Sequence, residues 1–189
     1  YELAIWLGLR EAELIGLRWE DLDLTKRTLT ISGQILRRKQ PDGKSKLIRQ
    51  PPKSTKSART IPLSDGLVAT LRAHQARIYA ERLKAGPAWR DNDLVFPTTK
   101  GTPLDRKTLV THFKALLSAA GLPETTRFHD LRHSAASLML DDGAQPTDVR
   151  DILGHASLQT LDKVYGHSYD EGKRRTIEAQ ERRLRRGAK

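Results

Sequence analysis

The chain has 189 residues, of which 37% are hydrophobic, which is enough to form one substantial core and is typical of a single domain. Its 34 lysines and arginines outnumber 23 aspartates and glutamates, and the resulting net charge of +11 favours a polyanionic partner. The lack of cysteine excludes disulfide bonds and cysteine-ligated metal sites. Because the sequence has no secretory signal or long apolar run, we expect a cytoplasmic protein without a membrane partner.

The first residues, YELAIWLGL, have the spacing of a helix interior, with neither an initiating methionine nor an N-cap residue. We therefore expect the chain to be a fragment from which an upstream segment is missing. Helical spacing predicts two short helices, over residues 1–8 and 11–18.

The region from residue 28 to residue 62 carries aliphatic and β-branched runs separated by turn signals such as PDGK. This pattern predicts three short antiparallel strands. Ser64 and Asp65 can cap a long helix from 65 to about 84, and residues 86–93 are typical of a loop. Capping residues and glycines predict further helices near 104–120, 129–141, 146–153, 158–166 and 171–186. The expected fold class is α+β, mainly α.

Three segments concentrate residues suited to phosphodiester chemistry. Guanidinium groups stay charged near neutrality and offer paired donors to phosphate oxygens, which makes Arg10 and Arg132 candidates for binding a phosphate. A tyrosine phenol such as that of Tyr165 has an ordinary pKa of about 10, so as a nucleophile it needs a base or a strong positive field. The segments are GLREAEL (8–14), HDLRH (129–133) and LGHASLQTLDKVYGH (153–167).

Together these segments resemble the conserved boxes of the tyrosine recombinases, the integrase-like family of site-specific DNA recombinases. A fourth segment, PPKSTKSARTIPL (51–63), resembles the lysine-bearing β-hairpin of the family, with Lys53 at the matching position and Lys56 as the alternative. The four boxes occur in the family's order and span nearly the whole chain. The resemblance implies that residues 1–189 form the catalytic domain without the N-terminal DNA-binding domain and without the first part of the catalytic domain.

The resemblance also implies a catalytic role for each matched residue. Arg10 and Arg132 bind the scissile phosphate, and Tyr165 attacks phosphorus. His129 accepts or donates a proton beside the tyrosine, and His155 donates a hydrogen bond to a nonbridging phosphate oxygen. These roles assign the central chemistry to five residues from three boxes.

Other residues have supporting roles in the same interpretation. Lys53 protonates the departing 5′ oxygen, Glu13 orients the first arginine, and His133 is structural. Four further basic residues between positions 44 and 59 are expected to contact DNA: Lys44, Lys46, Lys56 and Arg59.

The implied reaction is site-specific recombination, in integration or excision, of double-stranded DNA. A 3′-phosphotyrosyl intermediate retains the energy of the broken bond, so neither ATP, a metal nor another cofactor is expected. The resemblance further implies a homotetramer on DNA, whereas the isolated fragment would be monomeric.

Several alternatives stay open at this point. His129 and His133 are four residues apart, as in the HExxH zinc hydrolases, although Asp130 is shorter than the usual glutamate and Arg132 would bring a cation to the metal. A type IB topoisomerase-like enzyme would use the same chemistry to reseal one strand, and a noncatalytic DNA-binding module would not cleave. The basic tail, residues 170–189, is either a solvated DNA anchor or a segment that docks on a neighbouring protomer.

Overall fold

The structure of the protein is a computed structural model that describes residues 1–52, 57–154, 177–178, 180–182 and 185. Six helices are described between residues 1 and 154: α1 (Glu2–Leu7), α2 (Glu11–Gly16), α3 (Asp65–Ala85), α4 (Arg106–Ala119), α5 (Asp130–Asp141) and α6 (Pro146–Leu153). Five strands lie between α2 and α3: β1 (Leu22–Asp23), β2 (Thr28–Ile31), β3 (Gln34–Lys39), β4 (Ser45–Gln50) and β5 (Arg59–Pro62). The predicted α+β class, mainly α, is confirmed.

The helices predicted from capping signals are found close to their expected positions. Ser64 caps α3, because its hydroxyl accepts a hydrogen bond from the backbone N–H of Leu67 at 3.3 Å, and Asp105 caps α4 in the same way through Lys107 N at 2.7 Å. Such caps contribute about 1 kcal/mol each. The helix predicted near 158–166 and most of the one near 171–186 lie outside the described residues.

The strands form two separate antiparallel sheets, so the prediction of three strands over 28–62 was too simple. One sheet has the order β1-β2-β5, with Leu29 opposite Ile61, and the other is the β3–β4 hairpin. The run RTLTISGQIL (27–36) is divided at Ser32 and Gly33 into β2 and β3, so the described part of residues 28–62 contains four strands and not three. The chain therefore leaves the first sheet there, forms the hairpin, and returns to it in β5.

Arg49 fixes the hairpin to the rest of the fold. Its Nε donates to the carbonyl of Gly16 at 3.0 Å, at the end of α2, and its Nη2 donates to Asp21 at 3.0 Å and to Ser32 at 2.7 Å. The Asp21 side chain is only 5% exposed, so this ion pair is largely shielded from solvent. A Cβ on Gly33 would lie 2.5 Å from Cζ of Arg49, so a side chain at Gly33 would displace the guanidinium.

The main core lies between the three-stranded sheet and helices α1, α2, α3 and α4. A smaller cluster between α5 and α6 contains Ala136, Leu140, Val149 and Leu153. A third cluster of Ile15, Ile35 and Leu94 packs the hairpin against α2. Because α1 also packs against α5, the loop after α1, the start of α5 and the end of α6 meet in one place. Among the residues described, no helix is long and apolar enough to cross a membrane.

Candidate active site

Three arginines from distant parts of the chain converge on the carboxyl end of α6. Each donates to one of three consecutive backbone carbonyls: Arg59 Nε to Ile152 at 2.6 Å, Arg132 Nη2 to Leu153 at 2.6 Å, and Arg10 Nη2 to Gly154 at 3.1 Å. The last carbonyls of a helix lack partners within it and carry partial negative charge, which favours cations there. The residue that follows Gly154 in the chain is His155, which the sequence analysis assigned to the site.

Two glycines allow close packing at this junction. Gly8 ends α1 and Gly154 ends α6, with φ of 62° and 66°, in the left-handed region that glycine adopts most readily. A Cβ on Gly8 would lie 2.3 Å from Leu153, and one on Gly154 would lie 2.9 Å from Arg59. Neither position therefore has room for a side chain unless its neighbour moves.

Arg132 is buried inside this junction, with only 3% of the residue exposed. It extends from α5, and its Nη1 donates to the carbonyl of Gly8 at 2.6 Å while its Nη2 donates to Leu153. Carbonyls are neutral acceptors, so these two bonds fix the guanidinium without cancelling its charge. The side chain thereby joins the ends of α1 and α6.

Glu13 is the carboxylate shared by the other two arginines. It accepts from Arg10 at 2.7 Å and from Arg59 at 3.1 and 3.0 Å, and it also accepts from the backbone N–H of Arg10 at 3.0 Å. Burial opposes ionisation of the Glu13 carboxyl, but the hydrogen bonds and positive charges of Arg59 and Arg10 outweigh it and hold the pKa below its ordinary value. Among the described residues of this junction, the three arginines and Glu13 together carry a net charge of about +2.

Glu13 contacts Arg10, and its bracing role toward that arginine stays a prediction. Arg59, which was predicted to contact DNA, is instead bound inside the protein. The Arg59 side chain is 7% exposed, and its guanidinium donates to Glu13, Ile152 and Ser57. Because both of its Nη groups donate to the Glu13 carboxylate, whereas the Nη1 and Nη2 bonds of Arg132 go to carbonyls, Arg59 is bound to an anion within the protein and holds the site together. Sequence reasoning missed this, although Arg59 lies two residues before the buried Ile61 on β5, on the inward side of the strand.

His129 and His133 lie next to each other at the start of α5. Their rings meet edge to face, with centroids 5.0 Å apart. Partial burial, together with electrostatic interactions with His133, Arg132 and Arg10, lowers the pKa of His129 below the ordinary histidine value, against an opposing effect of Glu11. The described residues contain no group of three or more histidines and carboxylates placed to hold a metal ion.

An open groove of about 860 Å³ extends from Arg10 and His129 between α2, α4 and the β3–β4 hairpin. Its floor is largely apolar, with residues such as Ile15, Ile35 and Val110, and four further cations line it: Arg37, Arg38, Arg106 and Lys107. The predicted DNA contacts Lys44 and Lys46 are exposed on the hairpin, the former in its turn and the latter on β4. The groove therefore connects the candidate catalytic residues Arg10 and His129 with the basic β3–β4 hairpin.

Four predicted site residues lie outside the described residues: Lys53, Lys56, His155 and Tyr165. Their catalytic or DNA-binding roles remain predictions. The structure does bring together Arg10, Glu13 and Arg132, with His129 at the groove that begins at Arg10.

Comparison with solved structures identifies the fold. The integrase of the Tn1549 transposon, solved in complex with transposon right-end DNA, superposes with a TM-score of 0.75 at 22% identity, over 94% of this chain and 56% of that one. The XerA recombinase superposes with a TM-score of 0.68 at 22% identity, over 95% of this chain and 56% of that one. At these identities the likeness concerns the fold.

Sequence comparison identifies the family. A tyrosine recombinase XerC-like protein of Caldanaerobacter subterraneus subsp. tengcongensis is 33% identical over 93% of this chain and 46% of its own length. An integrase of Saccharopolyspora erythraea is 27% identical over 90% of this chain and 49% of its own length. The chain thus spans about half the length of these relatives. Residues 1–172 match the phage integrase family, and the chain belongs to that family.

Proposed function

We propose that this chain is the catalytic part of a tyrosine recombinase that cuts and rejoins double-stranded DNA at specific sites. The observation that carries the proposal is the convergence of Arg10 and Arg132 on the carbonyls of Gly154 and Leu153. That contact ties two phosphate-binding candidates to the backbone directly before His155, ten residues ahead of Tyr165. Family membership and the order of the motifs support the same reading.

The proposed first step is an in-line displacement at phosphorus. The Tyr165 hydroxyl oxygen attacks the scissile phosphate, the phenol proton passes to a base, and the bond from phosphorus to the 5′ oxygen breaks. The products are a 3′-phosphotyrosyl bond and a 5′-hydroxyl that has taken a proton from an acid, the proposed role of Lys53. Attack by a 5′-hydroxyl of the partner strand reverses these events and releases the tyrosine.

The arginines supply the electrostatic stabilisation that a metal ion gives in many phosphoryl-transfer enzymes. Arg10 and Arg132 face the charge that develops on the nonbridging oxygens, and their bonds to Gly8, Leu153 and Gly154 fix them before the substrate arrives. Such preorganisation is effective because the protein does not rearrange at the moment of reaction. His155 adds a donor to the same phosphate in this proposal.

His129 suits the role of proton acceptor. Its pKa is lowered by partial burial and by the neighbouring His133 and Arg132, so the neutral imidazole is more abundant at pH 7 than for an ordinary histidine. A neutral imidazole can take the phenol proton or relay it. His133 contacts the His129 ring and orients it.

Double-stranded DNA is the substrate that the charge and the groove support. The groove begins at Arg10 and His129 and continues along the basic hairpin, where Lys44 and Lys46 stand free to contact the phosphate backbone. Backbone contacts of this kind position the duplex and make binding depend strongly on salt. The chain spans about half the length of its relatives, and we propose that another part of the full-length protein makes further contacts to the DNA.

Assembly into a homotetramer is part of the proposal, with the basic tail docked on a neighbouring protomer. Deleting residues 172–189 from the full-length protein would then impair assembly and recombination but spare binding to a single site at matched salt. Weaker single-site binding with a flatter salt dependence, and intact assembly, would show instead that the tail is an electrostatic anchor.

A nicked suicide DNA substrate tests the chemistry directly. The full-length protein should form a covalent adduct that survives a denaturing gel, because the short fragment beyond the nick diffuses away and religation is prevented. Tyr165→Phe should bind DNA normally and form no adduct, whereas Tyr79→Phe, at an exposed tyrosine on α3, should form it like the wild type. An adduct with Tyr165→Phe would refute the assignment.

Two further assays separate the recombinase from the zinc-hydrolase and the topoisomerase-like alternatives. On the nicked substrate, cleavage should be equally fast with and without excess chelator. Cleavage that stops with chelator and returns with zinc would instead indicate that His129 and His133 bind a metal ion. With two intact sites, exchange of flanking DNA is expected from a recombinase, whereas relaxation without exchange would indicate topoisomerase-like action.

A further inference from the structure

Two ion pairs connect the three elements that form the groove, which are the β3–β4 hairpin, α2 and α4. Arg37 of the hairpin binds Asp105, the N-cap residue of α4, and Arg106 at the start of α4 binds Glu11 at the start of α2. All four residues line the groove that begins at Arg10 and His129. The pairs therefore stand where DNA would have to lie if the groove binds it.

In each pair the guanidinium is more open to solvent than the carboxylate. The side chains of Arg37 and Arg106 are 57% and 75% exposed, whereas those of Asp105 and Glu11 are 24% and 14% exposed. A phosphate entering from solvent would meet the guanidinium first. Carboxylate and phosphate both match the paired donors of arginine, so one can replace the other on the same group.

Each carboxylate has a second source of stabilisation that survives the loss of its arginine. Asp105 accepts a hydrogen bond from the backbone N–H of Lys107 at 2.7 Å as the cap of α4. Glu11 occupies the first turn of α2, where the helix dipole favours negative charge. Neither acid is therefore left without support when a phosphate takes its partner.

We propose that Arg37 and Arg106 bind backbone phosphates of the duplex beside the scissile one, and that Asp105 and Glu11 hold the two guanidiniums until those phosphates displace them. This inference rests on the proposed function, because it takes the groove to be the DNA-binding surface. It assigns two further DNA-binding residues, on the hairpin and on α4, together with two acids that compete with DNA for them.

The proposal predicts effects of opposite sign within each pair. Arg37→Gln and Arg106→Gln should each weaken DNA binding by the full-length protein about tenfold near 0.1 M salt, and each should reduce the slope of log affinity against log salt by about 0.9. Asp105→Asn and Glu11→Gln should each strengthen binding by about threefold to tenfold, because the arginine becomes free for phosphate. Asparagine keeps the helix cap at residue 105, so that variant tests charge rather than folding.

The ion pair between Arg82 and Asp91 provides a control, since its arginine is about as exposed as Arg37, at 49%, its N–O distance is 2.8 Å, and it lies outside the groove lining. Arg82→Gln and Asp91→Asn should leave both the affinity and the salt slope unchanged. If the two pairs only hold the hairpin, α2 and α4 in place, all four groove variants will weaken binding, and that result would overturn the proposal. Acid variants that behave like Asp91→Asn would also overturn it.

Failure of this inference is distinguishable from failure of the proposed function. The wild-type protein is assayed in parallel for binding and for the covalent adduct on the nicked substrate. If the wild type binds and cleaves DNA but all four groove variants change the affinity in the same direction, only the proposed competition between the acids and DNA phosphates is refuted. A wild type that neither binds nor cleaves DNA refutes both.

Discussion

The guanidinium of Arg59 and the carboxylate of Glu13, 46 residues apart in sequence, form a two-pronged ion pair with N–O distances of 3.1 and 3.0 Å. The side chains are 7% and 4% exposed. Since Glu13 also accepts from Arg10, the buried pair determines where the phosphate-binding candidate Arg10 is held. The placement of Arg10 thus depends on a strand residue that does not itself face the groove.

Removing the negative charge of Glu13 should destabilise the fold and misplace Arg10. Glu13→Gln leaves two guanidiniums around an uncharged group, and breaking a buried ion pair in this way costs about 3 kcal/mol. The free energy of unfolding in urea at pH 7 would measure the loss. Glu20→Gln, which removes a carboxylate paired with Arg18 at the surface, should leave the unfolding midpoint essentially unchanged. Similar midpoints for the two variants would contradict this bracing role.

The Glu13 pair also predicts the direction of an acid effect. The pKa of the Glu13 carboxyl is lower in the folded state than its ordinary value, so its stabilisation is present above the ordinary carboxyl pKa and is lost as pH falls through the lowered one. Urea titrations from pH 6 downward should show this loss in the wild type and a smaller one in Glu13→Gln.

Adding one methyl group at Gly154 should impair cleavage through its effect on Arg59. Both Gly154 and Gly121 have positive φ, 66° and 65°, but a Cβ would meet Arg59 at 2.9 Å only at Gly154, and nothing within 4 Å at Gly121. Alanine at Gly121 should therefore cost only the backbone strain, about 1 kcal/mol. Alanine at Gly154 should cost more and slow adduct formation about 100-fold, as expected when catalytic groups move by about 1 Å.

Adduct formation on the nicked substrate, measured beside thermal unfolding, distinguishes these effects. Gly121→Ala should cleave at the wild-type rate despite its lower stability. If Gly154→Ala also cleaves normally, the close approach of Arg59 to Gly154 does not matter for the chemistry.

The sequence predicted the features of the fold and of the candidate site that depend on local patterns. The end of α6 at Gly154, the cap at Ser64 and the position of Arg132 on α5 follow from residues near one another in the chain, and all three are found. Such features need only a helix and its caps, so tertiary packing does not alter them.

The features that sequence reasoning missed arise from contacts between distant segments. The basic residues around Arg59 predict that it contacts DNA, because its buried partner, Glu13, lies on another element and is not apparent from the local sequence. Likewise the break at Ser32 and Gly33 depends on Arg49 reaching Asp21, which no local propensity describes. The local pattern therefore predicts three strands over 28–62, where the described part of the structure has four strands in two sheets.

His74 should make the stability of the fold sensitive to mild acid. One ring nitrogen, Nε2, lies 2.6 Å from the carbonyl of Val95, and the other, Nδ1, lies 2.9 Å from Arg77 Nη2, an arrangement that suits the neutral ring. Burial, together with the charge of Arg77, lowers the pKa of His74 despite its bond to Val95. Because the unfolded chain then binds a proton more readily, stability falls as pH drops through the ordinary histidine pKa.

Thermal unfolding between pH 8 and pH 5 measures this effect. His74→Gln, which keeps a donor but does not titrate, should remove part of the pH dependence, whereas His112→Gln, at an exposed position on α4, should retain it. An unchanged pH profile in His74→Gln would show that another group is responsible.

Lys53 and Lys56 should differ in their response to the leaving group. Lys53→Ala should slow cleavage of ordinary DNA and be rescued by a 5′-bridging phosphorothiolate, whose sulfur leaves without protonation. Lys56→Ala should weaken DNA binding and show no such rescue. Rescue of Lys56→Ala instead would reassign the general acid, and equal loss for Lys53→Ala on both substrates would give that lysine a binding role.

The position of the covalent bond tests the central claim most directly. The adduct trapped on the nicked substrate can be digested with nuclease and trypsin, and the peptide VYGHSYDEGK (164–173), which contains both Tyr165 and Tyr169, sequenced by tandem mass spectrometry. The nucleotide should be attached through a 3′-phosphate to Tyr165, and Tyr169→Phe should give the same attachment. A nucleotide on Tyr169, or on a residue outside this peptide, would contradict the proposed mechanism.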